Sequence, residues 1–137
     1  PMTADVLIDE DRIAAIGPLR QHMVRKQRLI AQQHPRLVSE GRDQGSVVFP
    51  DAAVKFFLDA DAPVRARRRA EQLRAADPAA RVDEHQLLAE IRERDALDSS
   101  RADGPLVCPD DAMRIDTGPL ELIEVVDLLE RLVRERV

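Results

Sequence analysis

The sequence predicts an α/β domain whose parallel strands are flanked by helices. Two observations carry that prediction. Short apolar runs bounded by turn residues alternate along the chain with longer segments of helical periodicity. A parallel connection between strands is normally made by a helix, so this alternation favours a parallel sheet over hairpins. With 137 residues, 44% of them hydrophobic, there is enough apolar material for one packed domain.

Apolar residues recur at Ile13, Ile16, Leu19, Met23, Val24 and Ile30, the spacing of one helical face, and predict an amphipathic helix from about Glu10 to Gln33. After His34 and Pro35, the run Leu37-Val38-Ser39-Glu40 is too short for a helix and suits a buried strand that ends at Gly41. A second strand is expected from Val54 to Leu58. Asp61 is placed to cap a following helix with Pro63 in its first turn, and Asp77-Pro78 ends it. Asp83 and Gln86 have the layout of a capping box for a helix from about Glu84 to Asp98. Ala112 to Asp116 is a third strand. Gly118-Pro119 then opens a last helix with Leu122, Val125, Val126, Leu129, Leu132 and Val133 on one broad face.

Composition excludes several classes of function. The formal net charge of -5 argues against a dedicated nucleic-acid binder, and with no Trp or Tyr and three Phe there is little to stack on bases. Cys108 is the only cysteine, which rules out an internal disulfide and fits a reducing compartment. No apolar run approaches the roughly 20 residues of a membrane span, so a cytoplasmic location is expected. The chain starts at Pro1 without an initiator methionine, consistent with trimming or truncation.

Three constellations could carry chemistry. Glu40-Gly41-Arg42-Asp43-Gln44-Gly45-Ser46 lies where a strand runs out, and in open α/β sheets ligands bind beyond the carboxyl ends of strands. Arg42 could grip a phosphate with its planar fork, and Asp43 could accept from an amino or hydroxyl group. A Gly-rich turn with a local Arg-Asp ion pair explains the same residues. On the next helix Leu87, Ile91, Arg94 and Asp98 share a stripe, with Arg101 just beyond. Two guanidiniums bracketing a carboxylate suit a phosphate and a ribose, although an ion-pair network at a helix end is an equal alternative. Arg65, Arg68 and Arg69, with Arg67 beside them, give a cationic face suited to polyphosphate or simply to solvent. Arg20, Arg25, Lys26 and Arg28 are similarly ambiguous. His22, His34 and His85 have no metal-ligand spacing, and no metal site is expected on this chain.

Together these segments resemble the cytidylate kinase family of P-loop nucleoside monophosphate kinases. The resemblance rests on Ile13-Ala14-Ala15 through Leu19-Arg20, Gln27-Arg28, the run from Glu40 to Ala52, Val54-Lys55-Phe56-Phe57-Leu58-Asp59-Ala60 and Arg65-Ala66-Arg67-Arg68-Arg69. It continues through Leu88-Ala89-Glu90-Ile91-Arg92-Glu93-Arg94-Asp95, Asp98, Ser100-Arg101 and Pro105-Leu106. It implies a P-loop-kinase-type parallel sheet with an Arg-rich lid, and makes residues 1–137 one partial domain with the lid and adjoining helix at about 61–101.

The function implied is phosphoryl transfer from ATP, with Mg²⁺, to CMP or dCMP, giving CDP or dCDP. Residues matching Arg20 and Asp43 contact the base or sugar in similar kinases, and Arg42 lies at the acceptor phosphate. Those matching Arg94, Asp98 and Arg101 bind the CMP phosphate and ribose. Arg42 and Arg94 are thereby the candidate catalytic groups. Arg65, Arg68 and Arg69 match the lid that closes over ATP. No protein partner, nucleic-acid polymer or membrane is implied.

Two departures qualify the implied activity. No G-x-x-x-x-G-K-[ST] occurs in the sequence, so nothing here cradles the β-phosphate of ATP. The resemblance also implies a first strand between those near Leu37 and Val54, and without it two strand edges face a gap. These 137 residues are therefore expected to lack kinase activity alone. The family's cytosine-recognising serine falls at Asp11, which leaves CMP preference open. A non-catalytic, CMP-binding derivative of the kinase is the alternative.

Overall fold

A computed structural model describes residues 17–100 and 106–137. Among these residues four helices and two strands follow in the order α1 (Gly17–Gln33), β1 (Phe56–Asp59), α2 (Ala62–Ala76), α3 (Glu84–Ser100), β2 (Met113–Asp116) and α4 (Leu122–Arg136), with a π-helical turn at Gln44–Val48 between α1 and β1. β1 and β2 pair in parallel, from Phe56 opposite Met113 to Asp59 opposite Asp116. The helices α2 and α3 make the crossover, as the alternation of elements predicts.

Most of the predicted elements form, with corrections at their ends. The strand predicted at Leu37–Glu40 joins no ladder among the described residues, and Val38 is 97% exposed. Apolar character makes a strand possible, but only backbone pairing with a neighbour creates one. Asp61 sits before α2 without a side-chain cap; Pro63 at the second helical position has no N–H to offer, and the remaining N–H, of Val64, is not bonded by the carboxylate. Asp83 Oδ1 does cap α3, accepting from the backbone N–H of His85 at 2.9 Å and of Gln86 at 3.3 Å. The Gln86 side chain turns to Glu90 instead of completing the box.

The final helix begins at Leu122, later than Gly118-Pro119 suggests. The Gly118 N–H donates to Asp116 Oδ1 at 2.9 Å, so this pair belongs to the turn that leaves β2. The true start is a capping box between Glu121 and Glu124, with the Glu121 N–H donating to Glu124 Oε2 at 2.7 Å.

Among the described residues the buried apolar side chains are Val48, Ala60, Ala66, Ala70 and Ile115. Two of them, Ala66 and Ala70, lie one turn apart on α2, which packs along α3. By contrast α1 buries no residue, and Leu19, Met23 and Ile30 of its predicted apolar face are exposed. Polar contacts hold α1 instead: Arg28 Nε donates to the Val48 carbonyl and Nη2 to the Val47 carbonyl, both at 2.8 Å. Leu122 and Ile123 likewise leave the apolar face of α4 open.

Candidate functional site

The site is assembled by α1, the loop after it and the C-terminal end of α3. Gly41 opens the loop with φ +154°, a backbone conformation that side-chain-bearing residues rarely adopt, and a Cβ there would lie 3.0 Å from Gln44 Cγ. Gln44 is itself fixed, accepting from Ser39 Oγ at 2.5 Å and donating to Gln27 Oε1 of α1 at 3.1 Å. The following π turn closes with Val48 N–H on the Asp43 carbonyl at 3.1 Å and Phe49 N–H on the Gln44 carbonyl at 2.7 Å. Those bonds hold Arg42 and Asp43 at the start of the turn.

Each of these two side chains reaches a different helix. Asp43 pairs with Arg20 of α1, both side chains largely buried. Arg42 Nη1 donates to Asp98 Oδ1 at 3.0 Å, and Asp98 is 5% exposed near the end of α3. The Asp98 backbone carbonyl in turn accepts from Leu106 N–H at 2.8 Å. Arg94 is exposed one helical turn before Asp98 on the same stripe. Arg20 is thus paired with Asp43 and Arg42 with Asp98, Arg94 lies on the Asp98 stripe of α3, and Arg101 lies outside the described residues.

The cationic face of α2 divides. Arg65 makes a two-pronged pair with Asp95 of α3, Nη1 to Oδ1 at 2.9 Å and Nη2 to Oδ2 at 2.5 Å, and its Nε donates to the Ala60 carbonyl at 2.9 Å. That hydrogen-bonded guanidinium holds the Asp95 carboxyl below its ordinary range, with the charge of Arg42 adding to the effect. Arg68 reaches the end of β2, donating to Thr117 Oγ1 at 3.0 Å and to the Thr117 carbonyl at 2.5 Å. Arg69 and Arg67 are exposed.

The model of the cytidylate kinase family matches residues 3–135 of this chain. The chain belongs to the cytidylate kinase family. It is 42% identical over 135 residues to a cytidylate kinase of Solibacter usitatus, an alignment covering 98% of this chain and 58% of that protein. A cytidylate kinase of Pseudomonas aeruginosa is 44% identical over 94% of this chain and 55% of its own length. One from Burkholderia ambifaria is 47% identical over 84% of this chain and 49% of its own. The chain therefore spans about half the length of the curated relatives it matches.

Membership in the cytidylate kinase family accounts for the α/β fold and parallel strand pair, and supports nucleoside monophosphate kinase chemistry at the level of the family. Among the described residues there is no group of three His, Cys, Asp or Glu that could hold a metal ion. No G-x-x-x-x-G-K-[ST] occurs to supply the hydroxyl ligand either. No helix among the described residues is long and apolar enough to cross a membrane.

Three participants escaped the sequence reading. Asp95 follows Arg94 directly, and only the packing of α2 on α3 reveals Arg65 as its partner. Thr117 is buried just past β2, where its Oγ1 also donates to the Asp59 carbonyl at 3.0 Å. Lys55 is 8% exposed before β1 and reaches Asp111 through both carboxylate oxygens, at 3.0 and 2.8 Å, and also the Pro50 carbonyl. The charge at Asp95 and the charge at Lys55 on an otherwise apolar strand were the signals available.

Proposed function

We propose that this chain carries the nucleotide-acceptor side of an ATP-dependent CMP or dCMP kinase. The observation that supports it best is that neighbouring loop residues make two long-range pairs, Arg42 with Asp98 of α3 and Asp43 with Arg20 of α1. Asp43 and Arg20 address the base or sugar, and Asp98 accepts from a ribose hydroxyl. Arg42, Arg94 and Arg101 neutralise the acceptor phosphate, and Arg42 and Arg94 act as the catalytic cations.

In the reaction an oxygen of the CMP phosphate attacks the γ-phosphorus of ATP and the bond to the β,γ-bridging oxygen breaks. ADP leaves and CDP forms, or dCDP from dCMP. Such transfers depend on positioning and charge neutralisation more than on covalent help from the protein. The arginines of α2, Arg65, Arg68 and Arg69, belong to a lid whose closure keeps water from the γ-phosphoryl group. Mg²⁺ would neutralise the ATP phosphates in this chemistry. The setting is cytoplasmic, with nucleotides as the only partners.

Residues 1–137 form a single partial domain, with the lid region and adjoining helix at about 61–101. By themselves they bind CMP and do not turn it over. Calorimetric titration with CMP, dCMP, UMP and AMP, run beside a CMP-dependent assay for ADP, tests both statements. Binding of CMP or dCMP without turnover is expected. Equal or tighter binding of UMP or AMP overturns the assigned specificity, and turnover at a rate ordinary for such kinases overturns the assigned inactivity. A second reading, a non-catalytic CMP-binding module, would be supported by CMP binding without turnover in the full-length protein.

A further inference from the structure

Arg65 has both prongs of its fork and its Nε engaged by protein groups, the Asp95 carboxylate at 2.9 and 2.5 Å and the Ala60 carbonyl at 2.9 Å. A guanidinium committed on three sides braces one element against another. Ala60 is the residue after β1, Arg65 is in the first turns of α2, and Asp95 is in the second half of α3. The same half of α3 carries Arg94 and Asp98. Asp95 also lies within the field of Arg42, the residue that reaches Asp98 from the loop. The buried alanines Ala66 and Ala70 give α2 a small-residue face, and α2 packs on α3 more extensively than on any other described element.

We propose that Asp95 is a positioning residue of the acceptor site: by clamping Arg65, it ties α3 to α2 and to the end of β1, and so fixes where Arg94 and Asp98 present their charges to the CMP phosphate and ribose. The inference rests on the proposed function and goes beyond it, because both Asp95 carboxylate oxygens are engaged by Arg65 and Arg65 gains a role before any ATP binds. A lid arginine that only contacts ATP would leave CMP binding unchanged when ATP is absent. An arginine that braces α3 would not. Coupling through a packed helix pair is typically worth a few-fold to about thirtyfold in affinity.

The test uses the 137-residue chain without ATP and compares affinities for CMP and for cytidine, which lacks the phosphate. Asp95→Asn should lower the CMP-to-cytidine affinity ratio by about fivefold, and Arg65→Gln by a similar factor. The double variant should be no worse than either single one, since both break the same clamp. Asp95→Glu should recover part of the ratio, and Arg67→Ala, on an exposed position of α2, should leave it unchanged. Far-UV circular dichroism of every variant separates lost positioning from lost fold.

A role confined to stability would lower the unfolding midpoint without moving the ratio. CMP binding by the wild-type chain with an unchanged ratio in Asp95→Asn overturns this inference alone. Absence of CMP binding by the wild-type chain overturns the proposed function, and this inference falls with it.

Discussion

Arg42 Nη1 donates to Asp98 Oδ1 at 3.0 Å, joining a loop to a helix 56 residues further along the chain. Asp98 is buried and Arg42 half-buried, so the bond is made where water competes poorly. Hydrogen bonds to charged groups contribute about 1.5–3 kcal/mol. Asp98→Asn keeps the shape and removes the charge, and should weaken CMP binding about tenfold with little change in far-UV circular dichroism. An unchanged dissociation constant by calorimetry would remove Asp98 from the site.

The Arg65–Asp95 pair predicts a pH dependence. Arg65 lowers the Asp95 carboxyl below its ordinary value near 4, so the folded state releases that proton more readily than the unfolded one. The pair's stabilisation is complete above about pH 4 and is lost as pH falls through the depressed folded value. Wild type should therefore unfold at a higher temperature than Asp95→Asn at pH 7, and the gap should close progressively below pH 4. A gap that widens on acidification would contradict the pairing. Both side chains are more than one-third exposed, so solvent screening keeps the effect small.

Ala70 is fully buried and Ala66 nearly so, one turn apart on α2. A larger side chain at Ala70 must displace well-packed neighbours, at a cost of about 1–3 kcal/mol. Ala70→Leu should lower the thermal midpoint by about 4 °C for each kcal/mol lost. The same substitution at the exposed Ala89 of α3 should leave the midpoint within about 2 °C, the range of surface changes near ±0.5 kcal/mol.

Lys55 and Asp111 offer an asymmetric pair, a buried ammonium against an exposed carboxylate. Lys55→Met removes the buried charge and keeps most of the volume. Asp111→Ala leaves the ammonium in place with the Pro50 carbonyl as its remaining partner in this pairing. Stranding a buried charge costs more than removing it. Of the two variants, Asp111→Ala is expected to show the lower midpoint in thermal denaturation, and the reverse order would show that water solvates Lys55 adequately.

Local chemistry made several elements legible in the sequence. Asp83 caps α3 because its carboxylate lies within reach of the N–H groups of His85 and Gln86, and Asp77-Pro78 ends α2 because proline has no N–H to continue it. The parallel pairing of β1 with β2 followed from the helical crossover between them. Arg94 and Asp98 were legible as charges near a helix end, and Arg42 and Asp43 as charges in a Gly-rich loop, although the strand expected before that loop joins no ladder among the described residues. Their resemblance to a kinase motif gave them a family, which the match over residues 3–135 then showed.

Partners far apart in the chain were decided only by tertiary structure. Neither the spacing of Arg65 nor that of Asp95 encodes that the two meet, since 30 residues and a helix reversal lie between them. Helical periodicity gives a residue its face and leaves open what that face meets. The same limit explains Leu37–Glu40: its apolar character was fixed by the residues themselves, whereas strand formation needs a neighbouring backbone that the described residues do not supply. The sequence by itself determined most of the element types, the Asp83 cap and the charges available. Packing alone decided which charges became pairs, because an ion pair is a property of distance in space and not of order along the chain.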